Sequence, residues 1–172
     1  MTEIAEDWLR LGEAILFAAS EPLTLAALGR LLPDEAEVEP VIAALRARYD
    51  GRGVQLVEVA GGWQFRTAPD LAPRLRRVVE VPRRLPRAAM ETLAIVAYHQ
   101  PVTRPEIEER RGAGLSQQTL DALLDANLIE SKGRRDSPGH PTLWGTTAGF
   151  LVQFGLGSLR DLPRPEELYQ PL

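Results

Sequence analysis

The 172-residue sequence contains no cysteine. That excludes disulfides, thiolate zinc sites, cysteine-ligated iron–sulfur clusters and cysteine nucleophiles together, and it fits a reducing, cytoplasmic setting. Histidine is nearly as scarce: His99 and His140 are the two present, and neither stands at the spacing of a helical metal motif. No metal or cofactor is therefore expected. Long apolar runs are also missing, since those around Ala14 to Ala19 and Ala94 to Tyr98 fall far short of the ~20 residues a membrane helix needs. The start, Met1-Thr2-Glu3-Ile4-Ala5-Glu6-Asp7, is acidic where a secretory signal is basic, so neither export nor membrane association is expected. An excess of positive charge is lacking as well. With a net charge of -4 and a pI near 5.3, the chain as a whole repels phosphate backbones, and contact with nucleic acid would need a local basic patch.

What is present is a foldable composition, 44% hydrophobic and 26% charged, with no low-complexity tract. The length suffices for one ordinary domain or two small ones, because domains of about 55 to 65 residues fold alone. An internal repeat favours two. Glu21-Pro22-Leu23-Thr24 returns as Gln100-Pro101-Val102-Thr103, an offset of 79 residues. The same offset pairs Ile15-Leu16-Phe17-Ala18 with Ala94-Ile95-Val96-Ala97, Leu28 with Ile107, and Val41, Ala43 and Leu45 with Leu120, Ala122 and Leu124. Further on it pairs Phe65 with Trp144, Thr67 with Thr146, Leu71 with Phe150 and Leu75 with Phe154. Apolar positions in step over this span indicate one structural unit used twice.

In the first copy Trp8, Leu11, Gly12, Ile15, Leu16 and Ala19 recur at helical spacing, which predicts a helix over Glu6 to Ala19. Glu21-Pro22 ends it, Thr24 caps a short helix over Leu25 to Leu32, and a third helix runs from Ala36 to Tyr49. Val54 to Val59 and Trp63 to Thr67 read as a hairpin turned at Gly61-Gly62, followed by a closing helix over Leu71 to Val79. The second copy repeats the order. Arg87 to Tyr98 is apolar almost all round, Thr103-Arg104-Pro105-Glu106 is a capping box, Gly112 ends the second helix, and Ser116 caps a third that carries Leu120, Leu123, Leu124 and Leu128. Strands around Leu128 to Lys132 and Thr142 to Gly145 flank a long wing loop, Gly133 to Pro141. The expected fold is mostly α with small β-hairpins, an α+β chain of two tandem winged helix-turn-helix domains. The divisions fall at 1–80, an Arg/Pro linker over 81–87, 88–160, and a proline-rich tail over 161–172. The stretch around the linker, from Arg74 to Arg87, holds six arginines and the prolines Pro82 and Pro86.

Catalytic constellations are poor. Asp136, Ser137 and His140 have the residue types of a hydrolase triad but crowd one loop, whereas triads are assembled from separate elements around an oxyanion hole. Gly112-Ala113-Gly114 lacks the Lys-Ser/Thr of a phosphate loop and reads as a helix end. DNA binding is the stronger competitor, since helix-turn-helix units present the helix after the turn to a major groove. Here those helices carry Glu35, Glu37 and Glu39 at the start of one, with Arg46 and Arg48 only near its end, and Asp121 and Asp125 with no Lys or Arg in the other. Acidic residues there repel a duplex. Basic patches remain in the linker, at Arg110-Arg111, and at Lys132-Gly133-Arg134-Arg135 on the wing; their plain reading is surface arginines in salt bridges to acidic helices.

The run from Leu93 through Tyr98-His99-Gln100-Pro101-Val102-Thr103-Arg104-Pro105-Glu106 to Glu108 resembles the segregation and condensation protein B family. So do the wing Gly133-Arg134-Arg135-Asp136-Ser137-Pro138-Gly139-His140-Pro141 running into Leu143-Trp144-Gly145-Thr146-Thr147, and the ending Phe154-Gly155-Leu156 with Ser158-Leu159 and Asp161-Leu162-Pro163. This family is the winged-helix subunit that joins the kleisin of the bacterial SMC chromosome complex. The resemblance implies a non-enzymatic homodimer, associating largely through its amino-terminal domains, that binds the kleisin and through it the SMC ATPase. It implies action in chromosome condensation and segregation in the cytoplasm at the nucleoid, no cofactor, and at most weak, nonspecific contact with DNA. Tyr98, Gln100, Pro101, Arg134, Pro138, Gly139, Pro141 and Trp144 fall on its motif positions and are the candidate kleisin contacts. The same residues could serve folding, with Pro138-Gly139 setting the wing's turn and Trp144 in the core. The alternative reading is a winged-helix DNA-binding transcription regulator.

Overall fold

A computed structural model describes residues 5–75 and 85–164. Arg76, Arg77, Pro82, Arg83 and Arg84 of the linker region, the end of the expected closing helix over 76–79, and the tail from 165 onward lie outside the described residues. The fold is α+β and mostly helical. Contacts divide the chain into two units, Met1–Val81 with Gly155–Leu172, and Pro82–Phe154.

In the first unit three helices, α1 (Glu6–Ala18), α2 (Leu25–Gly29) and α3 (Val38–Arg48), precede the antiparallel hairpin β1 (Val54–Val59) and β2 (Gly62–Thr67) and the short α4 (Ala72–Leu75). The core gathers Leu9 and Leu16 of α1, Leu28 of α2, Val41, Ile42 and Leu45 of α3 and Leu56 of β1. Each such side chain contributes roughly 1.5–3 kcal/mol on burial. Gly12 lets α1 and α3 close up, for a Cβ there would lie 3.1 Å from Val41 Cγ1. Thr24 Oγ1 accepts from Ala27 N–H at 3.1 Å, the cap expected of it. The second helix is shorter than expected, ending at Gly29 with a turn in which the N–H groups of Leu31 and Leu32 both bond Leu28 O.

The hairpin turn also differs from expectation. Val59 pairs with Gly62, so the two turn residues are Ala60 and Gly61, with φ of 51° and 73°. Positive φ at both is what a tight type I′ connection demands. Gly62 is a strand residue, and its missing side chain serves another purpose. A Cβ there would meet Pro22 C at 2.9 Å and Leu23 C at 3.0 Å. That approach lets Leu23 and Trp63 exchange two backbone hydrogen bonds, at 3.0 and 2.7 Å.

The second unit repeats the plan with α5 (Arg87–His99), β3 (Val102–Thr103), α6 (Arg104–Arg111), α7 (Gln117–Asp125), β4 (Ile129–Arg134), β5 (Thr142–Thr146) and α8 (Ala148–Phe154). Its sheet runs β3-β5-β4, all antiparallel, so the return strand β5 is central. Leu93 and Val96 of α5, Ile107 of α6, Leu120 and Leu123 of α7, with Leu128, Ile129 and Phe150, form the core. Gly112 ends α6 in the left-handed region (φ 65°), and Ser116 Oγ accepts from Thr119 N–H at 3.1 Å to start α7.

The two copies are not in step at one offset throughout. Leu28 and Ile107, both fully buried, keep the offset of 79. In the first helices the buried positions Leu9, Gly12 and Leu16 answer to Ala89, Thr92 and Val96, an offset of 80. Val54 lies opposite Thr67 and Ile129 opposite Thr146, so the outgoing strands are offset by 75 while the return strands keep 79. The second wing absorbs that difference. The segment from Gly155 groups with the first unit, whereas the sequence places the division after 160; Ala60 N–H, at the first hairpin's turn, bonds Leu156 O at 2.9 Å.

Replacing Gly62 with Ala is expected to destabilise the first unit by about 1–3 kcal/mol, because the atoms met are backbone and cannot rotate away. Urea unfolding of Gly62→Ala against Gly61→Ala checks this. The latter meets no atom within 4 Å and suffers from its positive φ alone, so its loss is expected to stay near 1 kcal/mol.

Candidate partner-binding site

The candidate contacts lie in the second unit and fall into two groups. Gln100, Pro101 and Trp144 meet where the end of α5 turns into β3. Gln100 caps α5 through its N–H to Val96 O at 3.0 Å, and its peptide bond to Pro101 is cis. Its side chain reaches across to β5: Oε1 accepts from Thr146 N–H at 2.8 Å, and Nε2 donates to Thr146 Oγ1 at 2.9 Å and to Ala97 O at 3.2 Å. The amide therefore fastens α5 to the sheet, over a glycine whose Cβ would lie 2.9 Å from Gln100 Oε1. Trp144 sits opposite Val102 on one side and Ser131 on the other and is half-buried. Pro101 is exposed and Tyr98 half-buried.

The other group forms the wing. Arg134, exposed, closes β4 opposite Thr142, after a register shift that begins at Ser131. The loop is braced by its own backbone, with Arg135 N–H to Pro141 O at 2.9 Å, Ser137 N–H to Arg135 O at 3.0 Å and His140 N–H to Ser137 O at 2.9 Å. Pro138 and Gly139 are at the exposed tip, Gly139 has φ 83° and His140 φ 40°, and Pro141 is half-buried.

The residue that fixes the wing to the helices is Arg135, which the sequence reading leaves among surface arginines. Its Nη1–H donates to Glu106 Oε1 at 2.6 Å. The other carboxylate oxygen accepts from Thr103 N–H and from the Thr103 hydroxyl, both at 2.8 Å. These bonds hold the Glu106 carboxyl at about 2, with the Thr103 N–H the largest cause, then Arg135, then the Thr103 hydroxyl. The capping box was legible at a spacing of three; its third member, 29 residues from Glu106, was not. Lys132 likewise pairs with Glu130, and Arg111 bonds Gly114 O at 2.9 Å while facing Glu91 at 3.5 Å.

The helices that follow each turn differ in charge: α3 carries Glu39 with Arg46 and Arg48, whereas α7 carries Asp121 and Asp125 with no Lys or Arg. On α3 Glu39 and Arg46 flank a groove of about 570 Å³ floored by Ala43 and Ala47, with Leu25 and Trp63 opposite. Arg48, near the end of α3, is committed to Glu6 through two bonds of 2.9 and 2.8 Å. On α7 the exposed residues include Gln117, Gln118, Asp121 and Asp125. Among the described residues no group of three or more His, Asp or Glu is placed to hold a metal ion, and no helix is long and apolar enough to cross a membrane.

The two repeated helical and hairpin units, with an acidic α7 and an internally braced wing, define a mostly helical α+β chain. Comparison with known proteins gives its family. The family model described as segregation and condensation complex subunit ScpB matches residues 10–165. The chain is 45% identical over 159 residues to segregation and condensation protein B of Desulforamulus reducens, covering 90% of this chain and 87% of that one. With the protein of the same name from Geobacillus thermodenitrificans it shares 48% identity over 157 residues, covering 88% and 75%. Among solved structures it is similar, at 30% identity and a TM-score of 0.39, to a dimer of an ScpB N-terminal domain complexed with an ScpA peptide, covering 43% of this chain and 96% of that one. The chain belongs to the ScpB family of segregation and condensation proteins.

Removing the wing's fastening separates Arg135 from its neighbour. In Arg135→Ala the Glu106 carboxyl is expected to titrate above about 2 but below the ordinary 4.5, since the Thr103 bonds remain, and the amides of 135–141 are expected to exchange several-fold faster. Arg134→Ala is expected to change neither. A carboxyl held low stabilises the fold above its ordinary range, and that contribution fades as pH falls from 4.5 through about 2. Carboxyl-detected NMR titration and hydrogen exchange check both variants.

Proposed function

We propose that this protein is the non-catalytic, kleisin-binding subunit of a bacterial condensin-like complex. It is a homodimer of tandem winged-helix chains, acting at the nucleoid in the cytoplasm to organise chromosomes for segregation. The observation that carries the reading, beside family membership, is the charge of the helix after the second turn. Asp121 and Asp125 are exposed on α7, which has no Lys or Arg; on α3 Glu39 is offset by Arg46, and Arg48 is paired with Glu6. Two of the wing's three basic residues, Lys132 and Arg135, are already paired within the unit. Polypeptide is the partner such surfaces suit. The partner taken here is of the same class as the ScpA peptide in the N-terminal domain complex.

In this reading 1–80 carries dimerisation and 88–160 presents the wing, with 81–87 between them. Pro101, Arg134, Pro138 and Gly139 offer exposed contacts, Tyr98, Pro141 and Trp144 a half-buried rim, and Gln100 acts by holding that surface together. The kleisin links the subunit to the SMC ATPase, and contact with DNA is weak and nonspecific.

Mixing the full chain with the middle region of the kleisin is expected to give a stable complex whose affinity changes little on adding duplex DNA. Size-exclusion chromatography with light scattering checks the first expectation, and fluorescence anisotropy at several salt concentrations checks the second. Failure to form that complex, together with nanomolar, steeply salt-dependent binding to one duplex sequence, would turn the assignment toward a transcription regulator.

A further inference from the structure

The chain leaves the first unit after Val81 and returns to it at Gly155, directly behind α8 of the second. The return is marked by a backbone hydrogen bond of 2.9 Å within the first unit, from Ala60 N–H in the hairpin turn to Leu156 O. Ala60 is an unusual residue to find there. It holds φ 51°, a left-handed conformation that costs an alanine free energy and is normally given to Asn, Asp or Gly at this turn position. A two-residue turn closed by Val59 and Gly62 also leaves the N–H of its first residue outside the ladder. The docked carbonyl therefore supplies a partner to the same residue that bears the strain.

The returning segment is shaped for this contact. Gly155 lies at φ 69°, and a Cβ on it would stand 3.1 Å from Arg66 Nη1 of β2. A Cβ on Gly157 would stand 3.1 Å from Asp161 Oδ2 and 4.0 Å from Glu58 O of β1. Glycines thus flank Leu156 on both sides, where the segment approaches both strands. Behind them a capping box fixes the next turn: Ser158 N–H donates to Asp161 Oδ2 at 2.8 Å, Arg160 N–H to Ser158 Oγ at 3.2 Å, and Leu162 N–H to Leu159 O at 3.3 Å. The segment is a preformed piece, so docking it orders little additional chain. The contact is nevertheless slight. One backbone hydrogen bond favours a docked state by about 2- to 13-fold, to which Leu156 adds a half-buried side chain. Undocking leaves both cores whole, because no residue of 155–162 is among the buried hydrophobic side chains.

We infer that residues 155–162 form a releasable latch. Closed, it supports the strained turn of the first hairpin and ties the second unit to the first at both of its ends. Open, the second unit is tied on through the chain at Val81–Pro82 alone. The device is independent of what the protein binds.

Amide hydrogen exchange and 15N relaxation on the full chain test it. Wild type is compared with Gly155→Val, which puts a β-branched side chain at positive φ beside Arg66, and with Leu156→Asp. Leu159→Ser, altering a side chain 42% exposed on the same segment, is the control. The Ala60 amide is expected to be protected in wild type and in the control, and to exchange about 10-fold faster in the two latch variants. Leu128 N–H, bonded to Leu123 O in the second core, should keep its rate. In those variants the amides of 88–154 are expected to relax with a shorter rotational correlation time. Ala60→Gly, which removes the strain and keeps the N–H, should slow exchange at position 60 several-fold after correction for intrinsic rates. It decides the matter should both latch variants fail to fold. A wild-type Ala60 amide exchanging at the free rate overturns the latch, as does one equally protected in both folded variants. Faster exchange at Ala60 with the tumbling of 88–154 unchanged overturns the restraint on the second unit.

Discussion

In each unit the segment between the first and second helices is hydrogen-bonded to the return strand of the hairpin, and this pairing holds helices and sheet around one core. In the first unit Leu23 and Trp63 exchange two bonds, and in the second Val102 and Thr103 pair with Trp144 and Leu143. A two-stranded hairpin alone is marginal in water. A third segment laid along the return strand fixes its distance from the helices and leaves the outgoing strand at the edge. Both units keep a glycine where the approach is tightest. Gly62 accommodates the backbone of Pro22 and Leu23, and Gly145 accommodates the Gln100 amide that joins α5 to β5.

The repeat does not hold one offset across that pairing. Leu23 and Val102 are 79 apart, whereas the residues opposite them, Trp63 and Trp144, are 81 apart, and a shift of two keeps the side chains on the same face. The outgoing strands β1 and β4 lie at sheet edges and are free to slip to an offset of 75, and the second unit takes up the difference in its wing. The lengthened wing is then fastened by a carboxylate already in place: Glu106 caps α6 with one oxygen and receives Arg135 with the other. Bracing the wing in this way pairs part of its positive charge, while α7 keeps Asp121 and Asp125 exposed. On the proposed function, the exposed remainder of the wing is the part offered to polypeptide.

Much of this was legible in the residues. Helices with a clear 3.6-residue period, the Thr24 and Ser116 caps, the capping box at Thr103 and the acidic α7 all rest on local spacing, which sequence records directly. What was missed depends on contacts distant in the chain. Gly61-Gly62 reads as a turn because two glycines usually mark one, yet the turn lies one residue earlier, and Gly62 is small for the sake of a backbone some forty positions away. Leu11 scores as a core residue by period, but the stripe it belongs to faces outward, and only burial separates it from Gly12. Gln100 was legible as a candidate contact and turns out to have its polar groups engaged within the unit. Arg135 looked no different from Arg134 until the fold set it against Glu106.

On the proposed function these units meet polypeptide, not DNA, on surfaces that the helix-turn-helix plan would otherwise present to a groove. Hydrogen exchange on the full chain, alone, with the kleisin middle region and with duplex DNA at moderate salt, tests it most directly. The expected result is amides slowed by the kleisin fragment and none slowed along α3 or α7 by DNA. Protection of α3 or α7 by the duplex, with the kleisin fragment leaving every segment unchanged, would contradict it.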